Sequence, residues 1–104
     1  MAPVVVSGDS MRTTLCAGDL CLVMYGLRIR PGDVVVARLP GRPLGVKRAV
    51  RRTANGWWLE GDDAAASTDS RSFGAVPEQA VLGRVLIRYW PLARRPVLVR
   101  RLAT

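Results

Sequence analysis

Short runs rich in valine, leucine and isoleucine, each cut off by Gly, Pro, Asp or Asn, leave this chain little choice but β-structure. Residues 4–6, 19–24, 33–38, 45–52, 57–60 and 81–90 read as extended. The breaks between them are explicit. Arg30-Pro31-Gly32-Asp33, Pro40-Gly41-Arg42-Pro43 and Ala54-Asn55-Gly56 supply the fixed or positive φ angles that tight turns need. Only residues 10–15 and 77–81 read as helical turns. The pattern predicts a mainly β fold with a small curved or barrel-like sheet. A length of 104 residues suits one domain, 1–104, able to bury a core without metal or disulfide staples. Its basic C-terminal tail, from about residue 92, offers residues 97–99 as a last edge strand or a frayed end.

Composition narrows the function classes. Apolar residues make up 49% of the chain and charged residues 23%, which excludes a disordered polyelectrolyte. The longest apolar runs, such as Val34-Val35-Val36-Ala37, fall far short of the roughly 20 residues that span a bilayer, so no transmembrane segment is expected. The N-terminus lacks the pattern of a secretory signal, and the location expected on that ground is the cytoplasm. Cys16 and Cys21 are then reduced, partly buried small hydrophobes. With no histidine and only two cysteines, no metal site and no cofactor are expected. The formal charge of +8 is spread over nearly every segment without a recognition motif, so no dedicated nucleic-acid site is expected. After Glu78 the chain carries Arg84, Arg88, Arg94, Arg95, Arg100 and Arg101 and no acidic residue. That end reads first as a solvated basic face, with peripheral contact to an acidic partner or an anionic membrane surface as the alternative.

The absence of histidine also excludes Ser-His-Asp and Cys-His hydrolysis. A proton acceptor for a serine must then be a carboxylate or a lysine of lowered pKa. Fifteen of the sixteen basic residues are arginine, and Lys47 is the single lysine. Arginine stays protonated, whereas lysine is neutralised by burial, so a lone lysine among arginines marks a position where an amine is useful. Period-two alternation puts Lys47 on one strand face with Gly45 and Ala49, opposite Val46 and Val50. To work near neutrality its pKa has to fall by roughly 2 to 3 units from about 10.4. Ser10 lies in Val6-Ser7-Gly8-Asp9-Ser10-Met11, where a strand enters a Gly turn and a helical turn begins, a corner that exposes a hydroxyl and freed backbone N–H groups. The polar segment 61–71 reads as a set of side-chain-stabilised turns.

In this order the segments resemble the signal peptidase I family of serine-lysine peptidases. The resemblance is carried by Gly8-Asp9-Ser10-Met11 through Thr14-Leu15 and Gly18-Asp19, by Pro31-Gly32-Asp33-Val34-Val35 with Val46-Lys47-Arg48, and by Gly61-Asp62-Asp63 with Ser67 to Arg71, Phe73-Gly74 and Val76-Pro77. It implies a signal-peptidase/LexA-like catalytic domain in which Ser10 is the nucleophile, Lys47 the general base and Ser67 the hydroxyl that orients the Lys47 amine. It also implies that the Ser10 N–H is one oxyanion donor. Gly8 stands where some members carry a second, serine donor. Arg48 with Asp62, and Asp69 with Arg71, are implied as structural ion pairs. Thr13 and Asp63 depart from the residues usual in the family, and no membrane anchor precedes Ser10. The implied partner is a precursor protein with an N-terminal leader. Among family members the chain is most similar to the short nickel-type superoxide dismutase maturation proteases, through residues 34–38, 46–50 and 81–91.

Two other readings are consistent with parts of the pattern. The self-cleaving domain of LexA-like repressors shares the Ser-Met corner and the Val-Lys-Arg strand, but nine residues before Ser10 leave little room for a DNA-binding domain or a cleavable linker. A non-catalytic basic β-barrel would instead bind nucleic acid or an acidic protein through its arginines, with affinity falling steeply in salt.

Overall fold

The computed structural model describes residues 2–6, 10, 11, 14–16, 18–90, 97 and 98. Its strands are β1 (Ala2–Val5), β2 (Leu20–Tyr25), β3 (Val34–Leu39), β4 (Arg42–Thr53), β5 (Gly56–Glu60), β6 (Val81–Trp90) and β7 (Val97–Leu98). They form one antiparallel sheet in the order β1-β2-β6-β3-β4-β5, with β7 paired to β6. Among the described residues that path is open, with β1 and β5 at its two ends. The mainly β fold is therefore as expected, in its curved-sheet form rather than as a closed barrel. The remainder of the C-terminal tail, 91–96 and 99–104, lies outside the described residues.

Turn chemistry sets the hairpins. Gly41 (φ 73°) lets β3 return as β4 through a shorter turn than the Pro40 to Pro43 span predicts, because β4 already begins at Arg42. Pro43 is tolerated there because β4 has a strand partner on one side only until Arg48. Asn55-Gly56 closes the β4–β5 hairpin. Of the helical turns, Thr14 and Leu15 both donate their N–H to the Met11 carbonyl, and Glu78–Ala80 forms a 3-10 turn. One element is unanticipated. Residues Ser70–Phe73 form a single helical turn, α1, capped by the Asp69 side chain and ended by Gly74 (φ 80°).

Strand β3 is buried on both faces, which explains its unbroken Val34-Val35-Val36-Ala37 run. Val34 and Val36 join Val6, Met11, Leu15, Cys21, Val23 and Val85 in one apolar cluster. Val35, Ala37 and Leu39 join Ala49, Trp57, Leu59 and Val76 in another. Trp57 is thus core, and Trp58 is half-buried beneath the Arg51 guanidinium, 4.4 Å from its ring centre. Cys16 and Cys21 are not joined by a disulfide, and Cys21 lies in the core.

Register then decides which way β4 points its charges. Lys47 stands opposite Val35 and Arg48 opposite Val34, so the two consecutive cations leave opposite faces of the sheet. Both are buried. The second cluster is the one that Lys47 borders, so truncating its fully buried Leu59 should cost about 2–5 kcal/mol of stability. Urea denaturation of Leu59→Ala is expected to show a lower midpoint with an unchanged slope.

Candidate active site

The segment 61–71, running from the end of β5 into α1, closes over the strand that carries Lys47 and Arg48 and grips each on its own face. On one face Arg48 donates Nε and Nη2 to the Asp62 carboxylate at 3.2 and 2.7 Å, and Nη1 to the Gly32 carbonyl at 2.8 Å. On the other face Lys47 Nζ lies 3.0 Å from Ser67 Oγ, with the lysine only 1% exposed. Ser67 Oγ in turn donates to Asp69 Oδ2 at 2.5 Å. The hydroxyl proton is thereby committed to the carboxylate, and Ser67 meets Lys47 as an acceptor.

Asp69 is 1% exposed and heavily hydrogen-bonded. It accepts from the Gly61 N–H at 2.9 Å, from the Arg71 N–H at 3.1 Å, and from Arg71 Nε and Nη2 at 3.0 and 2.6 Å. Burial alone would push its carboxyl up. The hydrogen bonds from Arg71, Ser67 and the two backbone N–H groups outweigh that and hold it well below the usual carboxylate range. The same contact makes the Arg71 guanidinium harder to deprotonate.

The Ser10 corner is fixed to this segment through its backbone. The Asp63 N–H donates to the Ser10 carbonyl at 2.7 Å, and the Asp62 N–H lies 3.4 Å from Met11 Sδ. Thr14 Oγ1 donates to Asp62 Oδ2 at 2.5 Å. Gly61 is what lets the pieces meet. A Cβ there would stand 2.4 Å from Ser67 Oγ and 2.6 Å from the Ser10 carbonyl oxygen, inside the space any side chain needs. Ser10 itself is buried to 9% exposure.

Of the residues singled out in the sequence, Ser10, Lys47, Ser67, Arg48, Asp62, Asp69 and Arg71 are thus gathered around one loop. Gly8 and Thr13 lie outside the described residues. Sequence reasoning missed the anchoring by Thr14 and the close fit at Gly61. It also missed Ser70, whose hydroxyl accepts the Leu59 N–H at 2.8 Å. Among the described residues no group of three His, Cys, Asp or Glu side chains is placed to hold a metal ion.

A groove of about 310 Å³ is lined by Pro3, Val4 and Val5 of β1, Val36 of β3, and Leu44, Gly45 and Val46 of β4. Val5 and Leu44 stand in it 62% and 49% exposed. Among the described residues, β1 pairs only with β2 and residues 42–47 only with β3, so each strand has an unpaired edge at this point.

A profile of the peptidase S24-like family matches residues 2–86. Mitochondrial inner membrane protease subunit 1 of Xenopus tropicalis is 35% identical over 86% of this chain and 69% of its own length. Its human counterpart is 30% identical over 86% and 70%. The mitochondrial ATP-independent inner membrane protease subunit 1a of Arabidopsis thaliana is 34% identical over 83% and 68%. These relatives overturn the expected cytoplasmic location, since their names place them at a mitochondrial inner membrane. The expectation rested on the lack of a secretory-signal pattern, and attachment to a membrane surface needs neither that pattern nor a spanning segment. Among the described residues no helix is long and apolar enough to cross a membrane. None of these relatives is by name a nickel superoxide dismutase maturation protease.

Because Asp69 is held below its unfolded value, it stabilises the fold fully above about pH 4, the ordinary aspartate range. That contribution is lost as pH falls further, through the folded-state value. Asp69→Asn is therefore expected to lower stability most at pH 7, with the gap to wild type narrowing toward about pH 3 in urea titrations. A gap independent of pH would contradict the assignment.

Proposed function

We propose, from the premise that the chain belongs to the peptidase S24-like family, that it is a serine endopeptidase with Ser10 as nucleophile and Lys47 as general base. The observation that carries this reading is the buried Lys47 amine hydrogen-bonded to Ser67, in a segment that also holds the Ser10 backbone. Burial disfavours an ammonium relative to a neutral amine. A neutral amine has two N–H bonds and one lone pair. With the Ser67 proton committed to Asp69, Ser67 accepts one of those N–H bonds, and in this reading the lone pair takes the Ser10 proton.

The reaction then runs in two halves. Ser10 Oγ bonds to the scissile carbonyl carbon while its proton passes to Lys47 Nζ. The carbonyl oxygen becomes an oxyanion facing the Ser10 N–H, with a backbone group or water as second donor because Gly8 offers no hydroxyl. The C–N bond breaks as the Lys47 ammonium returns its proton to the leaving amine. Water then gives a proton to Lys47 as its oxygen bonds to the ester carbon; the C–Oγ bond breaks, Lys47 returns that proton to Ser10 Oγ, and the acid leaves.

The substrate reading is a precursor protein cut behind an N-terminal leader. The groove between β1 and residues 42–47 supports it, because two unpaired edges can hydrogen-bond an extended peptide while apolar walls take its side chains. Strand β4 leads from that groove directly to Lys47. The two apolar clusters share β3, which supports treating residues 1–104 as one catalytic domain. The relatives' setting supports work at a membrane surface. The nickel-type superoxide dismutase precursor is the finer substrate assignment, and it rests on the similarity of residues 34–38, 46–50 and 81–91 alone.

Cleavage of leader-bearing precursors by purified variants tests the reading. Ser10→Ala is expected to be inactive, and Lys47→Arg to lose about 10²–10⁴-fold in kcat, since a guanidinium keeps its charge but accepts no proton. Retained activity in Lys47→Arg would remove Lys47 from the role of base. Wild type that cuts other leaders but leaves the nickel dismutase precursor whole would remove only that substrate. Intramolecular clipping with no substrate added would favour the LexA-like reading.

A further inference from the structure

Four large apolar side chains are exposed among the described residues, and they fall into two pairs. Val5 and Leu44 line the groove between β1 and residues 42–47. Tyr25 and Leu27, 46% and 42% exposed, belong to a different place, where β2 ends and Gly26 (φ 77°) turns the chain away from the sheet. Exposed Arg28 and Arg30 follow directly. Leu27, Arg28 and Arg52 rim one small depression of about 130 Å³. Arg28, Arg30 and Arg52 rim an adjoining one of about 470 Å³, and buried Trp57 lines both. Arg52 is steadied there by its position 5.0 Å over the Trp57 ring and by an exposed 2.8 Å pair with Glu78, the one acidic side chain lining either depression. Three guanidiniums against one carboxylate, two of the three next in the chain to two exposed apolar side chains, is the chemistry of a surface that meets anionic lipid.

We propose that the loop from Tyr25 to Arg30, with Arg52, docks the protein on an anionic bilayer. The guanidiniums bind lipid phosphates across the two depressions, and Tyr25 and Leu27 enter the boundary between headgroups and acyl chains. Each cation near such a surface adds to binding through the negative surface potential, and salt screens that contribution. The apolar pair adds a component that salt does not remove. The surface lies at the end of β4 away from Lys47, so docking leaves the groove and Ser10 open. The inference does not depend on the Ser10–Lys47 assignment.

Co-sedimentation of the full chain with vesicles of phosphatidylglycerol and phosphatidylcholine, against phosphatidylcholine alone, is the test. Binding to the anionic vesicles is expected to fall at least about tenfold in Arg28→Ala/Arg30→Ala and in Tyr25→Ser/Leu27→Ser. Arg100→Ala/Arg101→Ala, which removes the same charge elsewhere, should change it less than about twofold. Thermal melting checks that the variants fold, and leader cleavage in solution should be unaffected in all of them. The proposal is overturned if the C-terminal pair matters as much as the loop pair, or if the apolar substitutions leave vesicle binding intact. It is equally overturned if free inorganic phosphate or an acidic peptide binds the loop with the same arginine dependence while vesicles do not.

Discussion

The Asp69 carboxylate is the contact from which the rest of the site takes its shape. Buried without partners it would be unstable as an anion, so its environment has to supply donors. Gly61, Ser67 and Arg71 all converge on it, and that convergence folds residues 61–71 into a compact cap rather than an open loop. Ser67 then stands under Lys47 with its own proton already spoken for. The same cap reaches Arg48 through Asp62 and Ser10 through the Asp63 N–H. One acidic side chain thereby fixes the relative positions of an amine, a hydroxyl and the corner that bears Ser10.

The sheet contributes the complementary constraint. Because side chains alternate along β4, two consecutive cations must leave opposite faces, and the cap has to cross the strand to serve both. Arg48 spends its charge on Asp62 and Gly32, an arrangement suited to a planar cation with many donors. Lys47 donates to the Ser67 hydroxyl, and its burial disfavours the ammonium form. The distinction between the two neighbours follows from what the cap offers on each face, and it agrees with the use of arginine everywhere else in the chain.

Much of this was legible in the sequence because the signals were local. Asn55-Gly56 and Pro40-Gly41 announce hairpins, the Val34 to Ala37 run announces a strand covered on both sides, and the lone lysine stands out against fifteen arginines. What could not be read is non-local. The order β2-β6-β3 joins strands far apart in the chain, and no turn residue encodes it. The α1 turn was missed because four residues carry no periodicity, although Asp69 and Gly74 mark its two ends. Asp69 was read as half of an ion pair with Arg71. Its hold on the Ser67 proton depends on which hydroxyl the folded cap brings within reach, and spacing alone does not specify that.

The account stands on Lys47 being an amine rather than an ammonium at working pH, and the chain's composition makes that directly measurable. With one lysine present, 15N-lysine labelling gives a single side-chain Nζ signal, free of overlap from arginine. Its chemical shift followed against pH reports the protonation of Lys47 and nothing else. A buried Lys47 acting as base has a midpoint clearly below the ordinary lysine value of about 10.4. A midpoint at or above that value would mean that the Ser67 contact holds a charged lysine, and the assignment of Lys47 as the base would fail.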